Sequence, residues 1–82
     1  MNILVRNLPR RVTESELRQL FSPYGEITSL NIVMDSQTRG SKGFGFVEMP
    51  DITQAKAAIH GLNGRKIDGQ AIRVKSTLKK PL

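Results

Sequence analysis

The fold is decided by one stretch of the chain, Lys42-Gly43-Phe44-Gly45-Phe46-Val47-Glu48-Met49. Successive side chains of a β-strand point to opposite faces, so the stretch divides into two sets. Small and aliphatic side chains share one face: Gly45, Val47 and Met49. Both phenylalanines share the other face with the carboxylate: Phe44, Phe46 and Glu48. Because the small and aliphatic set suits a packed interior, the stretch predicts a strand from Phe44 to Met49 whose two phenyl rings face solvent.

Strand periodicity recurs on both sides of this stretch. Three further segments contain consecutive apolar residues or apolar residues that alternate with polar ones: 3–6, 27–34 and 72–75. This pattern predicts three more strands. The segment 35–43 between the second and third strands is polar, contains glycine and has no apolar residue. We expect it to form a mobile hairpin loop.

Two helical segments separate the strands. Thr13 stands three residues before Glu16, the spacing of a capping box, and an apolar helical pattern follows it. Asp51 favours a second helix N-terminus, and apolar residues recur at helical spacing over 52–62. The order β-α-β-β-α-β predicts a ferredoxin-like α/β (α+β) sandwich, in which two helices cover one face of a four-stranded antiparallel sheet.

Composition limits the chain to one domain and points to a polyanionic partner. With 82 residues there is room for one core, which we place in residues 1–76, and 77–82 are expected to form a flexible basic tail. Thirteen Lys and Arg against seven acidic residues give a net charge of +6, a balance that favours anionic partners. The absence of cysteine excludes disulfides and thiolate metal sites. No apolar run is long enough for a signal peptide or a membrane span, so a soluble, cytoplasmic protein is expected.

The uncovered face of the predicted sheet would combine aromatic rings with cations. Alternation directs these further side chains outward: Leu4, Arg6, Asn31, Val33, Arg73 and Lys75. The loop adds Arg39 and Lys42. Nucleobases are flat π systems that stack on aromatic rings, while lysine and arginine bind the phosphates between them. The pattern therefore predicts a surface for single-stranded nucleic acid.

At this point the sequence resembles the RNA-recognition motif family. Residues 42–49 match the longer family signature at every specified position except the last, where Met49 replaces an aromatic residue. The shorter signature appears at residues 3–8, and 62–64 read Leu-Asn-Gly as in the family. Small single-domain bacterial members and plant glycine-rich members are the most similar in organisation. The resemblance implies a protein that binds single-stranded RNA as a post-transcriptional regulator or RNA chaperone.

Roles for individual residues follow from the same resemblance. Phe46 is expected to stack on a base, Phe44 to contact a sugar or a neighbouring base, and Lys42 to contact phosphate. Leu4 occupies a position where the family usually has an aromatic stacking residue, so we expect weaker RNA binding than in fully aromatic members. Met49 lies on the packed side by alternation, where its substitution affects packing alone.

Other interpretations of these residues stay open. Arg6 could pair with Glu48 across the sheet, and Arg10 could be simple solvated charge. The same face could bind single-stranded DNA or a protein partner. Catalysis is disfavoured, because His60 is the only histidine and the carboxylates are scattered. We therefore expect no enzyme activity, no cofactor, no metal, no small-molecule substrate and no membrane partner.

Overall fold

A computed structural model describes residues 1–34 and 41–77, which contain two α-helices, a short 3₁₀ helix and six strands. In chain order these are β1 (Asn2–Arg6), α1 (Glu14–Phe21), the 3₁₀ helix (Ser22–Tyr24), β2 (Ser29–Met34), β3 (Ser41–Glu48), α2 (Ile52–Leu62), β4 (Lys66–Ile67), β5 (Gln70–Ala71) and β6 (Arg73–Thr77). Four strands form an antiparallel sheet in the order β2-β3-β1-β6, and β4 pairs with β5 in a separate hairpin. The predicted fold class is confirmed.

Side-chain caps begin both helices where the sequence indicates. Thr13 Oγ1 accepts a hydrogen bond from the backbone N–H of Glu16 at 3.2 Å. Asp51 Oδ1 accepts one from the N–H of Gln54 at 3.0 Å. Each bond satisfies an N–H that the first helical turn leaves without a partner.

One apolar core lies between the helices and one face of the sheet. Side chains from β1, β2, β3 and β6 meet those of both helices in a single buried cluster: Ile3, Val5, Leu8, Val12, Leu17, Phe21, Ile32, Val47, Met49, Ala55, Ala58, Leu62, Ile72 and Val74. Met49 is fully buried, as strand alternation predicts. The helices therefore cover one face of the sheet, and no element within residues 1–34 and 41–77 covers the other, which we call the open face.

The strand boundaries differ from the predicted ones at the β2–β3 hairpin. β2 begins at Ser29 rather than at residue 27, and β3 begins at Ser41, where we expected loop. Main-chain pairing of Met34 with Ser41 continues the ladder past a register shift after Ile32. Backbone hydrogen bonds need no apolar alternation, so the pattern of side chains underestimates β3. The rest of the predicted loop, 35–40, lies outside the described residues.

The last strand of the sheet is longer than expected. Ser76 pairs with Ile3 and Thr77 pairs with Asn2, so β6 extends two residues past the predicted strand and includes Thr77, the first residue of the predicted tail. Residues 78–82 lie outside the described part of the chain, and a flexible segment there stays a prediction.

The β4–β5 hairpin is held against the loop that follows β1. Asn7 Nδ2 donates to the carbonyl of Ala71 at 2.9 Å, and Gln70 Nε2 donates to the carbonyl of Asn7 at 3.2 Å. Arg11 Nε donates to an Asp68 carboxylate oxygen. This hydrogen bond and the opposite charge lower the pKa of Asp68 and raise that of Arg11. Three hydrogen bonds therefore tie the hairpin to the loop that follows β1.

Candidate nucleic-acid interface

One row of side chains crosses the open face from edge to edge. Strand pairing places Asn31 opposite Phe46, Phe46 opposite Leu4, and Leu4 opposite Lys75. Directly opposed side chains on one face of a sheet lie within contact distance of each other. The row therefore brings together an amide, an aromatic ring, an aliphatic side chain and an ammonium group on four strands that are neighbours in the sheet.

The two phenylalanines of β3 lie on the open face, as their alternation predicts. Gly45 and Val47 between and beside them are buried, whereas Phe44 and Phe46 are half-buried. The ring centroids are 6.3 Å apart and the ring planes are inclined by 79° in an edge-to-face arrangement. Two flat ligands stacked on these rings would also be steeply inclined to each other.

Gly45 brings β2 and β3 close together beneath the rings. A Cβ atom at this position would lie 2.6 Å from the backbone oxygen of Asn31 and 3.3 Å from Cα of Ile32. Both distances are below ordinary van der Waals contact, and the obstacle is backbone. Glycine is therefore required here for the close approach of the two strands, and not for an unusual φ angle.

Leu4 contributes a half-buried aliphatic surface between Phe46 and Lys75. The side chain has the area for apolar contact but no π face. This is the position at which the family resemblance predicts an aromatic residue, and the structure places it beside Phe46 in the same row.

Two arginines stand directly opposite each other at one end of the face. Arg6 of β1 pairs with Arg73 of β6, and like charges in opposed positions destabilise a sheet. Both are exposed, and neither has an acidic partner among residues 1–34 and 41–77. Lys75 extends the positive charge along β6. The cluster is therefore suited to an external anion.

The alternative pairing of Arg6 with Glu48 is wrong. Glu48 lies opposite Asn2 and Ser29, at the other end of β1. Its Oε1 accepts a hydrogen bond from the Thr28 hydroxyl at 3.2 Å. Arg6 therefore keeps its charge available on the open face.

The structure describes the remaining predicted site residues only in part: Asn31, Val33, Lys42 and Arg39. Asn31 lies on the open face, and within the described chain its Oδ1 is buried without a hydrogen-bond donor. Val33 is half-buried and lies at the register shift of β2. The backbone of Lys42 belongs to β3, but its side chain, like all of Arg39, lies outside what the structure describes.

A groove continues the open face beyond Phe44, and the sequence did not predict it. It has a volume of about 1070 Å³ and runs between the loop after β1, the segment after α2 and the β4–β5 hairpin. Its lining includes Arg6, Arg10, Phe44, Asn63, Gln70 and Arg73. Arg10, Asn63 and Gln70 lie outside the main strands, where alternation gives no signal, although Asp68-Gly69 marks the turn that carries Gln70.

Other chemistry has no support in the described residues. No three His, Asp or Glu side chains within 1–34 and 41–77 come together as a metal site would require. Neither helix in those ranges has the length and apolarity needed to cross a membrane.

Comparison with known proteins identifies the family. Residues 3–73 match the RNA recognition motif, and the chain belongs to this family. The 28 kDa chloroplastic ribonucleoprotein of Spinacia oleracea is 42% identical over 79 residues, which cover 96% of this chain and 34% of that protein. The chain spans about a third of the length, or less, of the curated relatives it matches.

Solved structures agree with this assignment. The crystal structure of RNA binding protein PG1 has a TM-score of 0.93 and 43% identity, covering 100% of this chain and 99% of that one. The Rna15 RNA recognition motif with bound RNA (GU) has a TM-score of 0.86 and 25% identity, covering 99% of this chain and 86% of that one.

Proposed function

We propose that this chain binds single-stranded RNA on the open face of its sheet. The observation that carries the proposal is the pair of phenyl rings inclined by 79° and set among cations that have no acidic partner in the described ranges 1–34 and 41–77. Bases in a helix are parallel to each other, so a duplex cannot place neighbouring bases on both rings. A single strand can turn between them, with each base stacking on its own ring.

Each residue of the open face has a role in this proposal. Phe46 stacks a base, and Phe44 contacts the neighbouring base or its sugar. Arg6 and Arg73 bind the phosphates that pass the end of β1, and Lys75 binds a phosphate beside Leu4. Lys42 and Arg39 are proposed as further phosphate contacts on the basis of the family signature and their charge. Asn31 lies opposite Phe46, where its amide nitrogen can donate a hydrogen bond to the edge of the stacked base.

A titration of the ¹⁵N-labelled chain with short mixed-sequence RNA and DNA oligomers tests the proposal. Amide shifts are expected along β1, β3 and β6, with little change on the outer surfaces of α1 and α2. If RNA and DNA produce the same shifts and affinities, the chain is a general binder of single strands, because a sensor of the 2′-hydroxyl would separate them. The absence of any strand shift would refute the proposal.

We expect the affinity to fall with salt. If about four phosphates are neutralised, the logarithm of the association constant should fall against the logarithm of salt concentration with a slope of about −3. Fluorescence anisotropy at several potassium chloride concentrations measures this slope. A slope near zero would contradict binding led by phosphate contacts.

We also expect Leu4→Tyr to tighten RNA binding. A ring at this position would lie beside Phe46 and add a stacking surface, worth about 1–3 kcal/mol for each base. The matched control is Leu4→Met, which keeps the apolar surface without a ring. Equal affinities of the tyrosine and methionine variants would show that aromaticity at this position has no effect.

A protein-interaction module of the same fold is the second candidate. Ile52, which is 56% exposed on α2, is an apolar side chain that a polypeptide could contact. The uncompensated arginines and the paired rings favour RNA. Shifts confined to the helices in the titration above would instead support a protein partner.

We infer that the domain acts by binding and not by catalysis, as a post-transcriptional regulator or an RNA chaperone. One relative is named a ribonucleoprotein, which is consistent with such a role. A cytoplasmic location stays a prediction, and one relative is described as chloroplastic.

A further inference from the structure

The groove beyond Phe44 contains a positive charge, that of Arg10, in addition to the charges of the open face. Arg10 lies in the loop after β1, outside the sheet, and lines this groove together with Arg6 and Arg73. All three are exposed, and none has an acidic partner in the described ranges. In contrast, Arg11 next in the chain is paired with Asp68 and Glu16. The groove therefore concentrates three uncompensated positive charges at one end of the open face.

The walls of the groove are held in place before any ligand binds. Asn7 is fixed in a left-handed conformation with a φ of 59°, and its side chain donates to Ala71. Gln70 in turn donates to Asn7. A site whose shape is already ordered loses less conformational entropy on binding.

Two polar side chains of the groove retain hydrogen-bonding capacity. Asn63 Oδ1 accepts from the backbone N–H of Val74 at 3.0 Å, which leaves the Asn63 amide donors available. Gln70 uses its amide nitrogen toward Asn7, which leaves its carbonyl oxygen available. The groove thus offers a donor and an acceptor as well as cations.

We propose that this groove is a second RNA subsite, which binds one further nucleotide of a strand that leaves the sheet past Phe44. The proposal rests on the RNA-binding function proposed above and extends it. Arg10 binds the phosphate of this nucleotide together with Arg6 and Arg73, and the amides of Asn63 and Gln70 contact its base or sugar. The volume of about 1070 Å³ is sufficient, since pockets for small organic ligands measure about 300–1,000 Å³.

The subsite makes binding depend on the length of the RNA. A dinucleotide can cover the two rings but has no residue left for the groove, whereas an eight-nucleotide oligomer can reach all of these sites. Arg10→Gln should therefore weaken binding of a mixed-sequence octanucleotide by about 2- to 10-fold and leave binding of the dinucleotide nearly unchanged. The salt slope for the octanucleotide should become about 0.7 less negative, the value for one lost phosphate contact.

Fluorescence anisotropy with labelled oligomers of both lengths measures these effects. Arg18→Gln is the matched control, because Arg18 is an exposed arginine on α1 outside the groove. Arg10→Lys should restore the salt slope, since it keeps the charge. Equal effects of Arg10→Gln and Arg18→Gln, or equal loss for both lengths, would overturn the groove as a subsite.

The variant Phe46→Ala, measured in parallel, separates this inference from the proposed function. If Phe46→Ala weakens binding of both oligomers while Arg10→Gln weakens neither, the sheet binds RNA and the groove inference is wrong. If neither substitution has an effect, the function itself is refuted.

Discussion

Replacement of Phe46 by alanine is expected to weaken binding of single-stranded RNA by about 5- to 140-fold, which corresponds to about 1–3 kcal/mol. Phe46 lies at the centre of the row that crosses the open face, between Asn31 and Leu4. Loss of the ring removes the surface on which a base stacks, and the aliphatic side chain of Leu4 cannot replace it. Fluorescence anisotropy with a labelled octanucleotide measures the loss.

Two control variants identify the cause of this loss. Phe46→Leu keeps apolar area but has no π face, so it should lose most of the same affinity if stacking is the cause. Ile52→Ala removes an apolar side chain that is 56% exposed on α2, and it should leave the affinity unchanged. Because Phe46 is only half-buried, thermal unfolding should show that the alanine variant is still folded. Unchanged affinity in a folded Phe46→Ala variant would contradict the assignment of the ring as a stacking surface.

The orientation of the two rings was predictable from the sequence because it depends on a local rule. In a strand the side-chain period is two, so the positions of Gly45 and Val47 determine which face receives Phe44 and Phe46. A single buried cluster behind the sheet then requires the rings to lie on the other side. The same reasoning correctly placed Met49 in the core.

Strand register was not predictable in the same way. The sequence suggested that β1 and β3 are neighbours, and from this a pairing of Arg6 with Glu48 followed as an alternative. The actual register places Glu48 opposite Asn2, because β1 and β3 are not joined by a hairpin turn from which the sequence could indicate their register. The charge of Arg6 is available to a ligand for this reason.

The β4–β5 hairpin shows a second limit of sequence analysis. Its turn is visible in Asp68-Gly69, and both residues have positive φ angles of 52° and 83°, as such hairpin turns require. Its strands have only two residues each, too few for any periodicity. The groove that this hairpin helps to form could therefore be found only from the structure.

Gly45→Ala is expected to destabilise the fold by about 1–3 kcal/mol, the usual cost of adding a methyl group where no space exists. The added Cβ would lie 2.6 Å from the backbone oxygen of Asn31, so β2 and β3 would have to move apart. The midpoint of chemical denaturation, followed by circular dichroism, should fall. Because the strands carry Asn31 and Phe46 in opposed positions, RNA affinity should fall as well, even under conditions in which the variant is folded.

Gly61→Ala is the matched control for this effect, since it makes the same chemical change where the obstacle is a side chain. A Cβ at Gly61 would meet the phenol end of Tyr24, which is half-buried and can rotate without movement of the backbone. Alanine also favours a helix over glycine by about 1 kcal/mol, which offsets the displacement. We therefore expect its stability to stay within about 1 kcal/mol of the original chain. If the two variants were equally stable, β2 would be able to move away from β3 at little cost, and glycine would not be required at position 45.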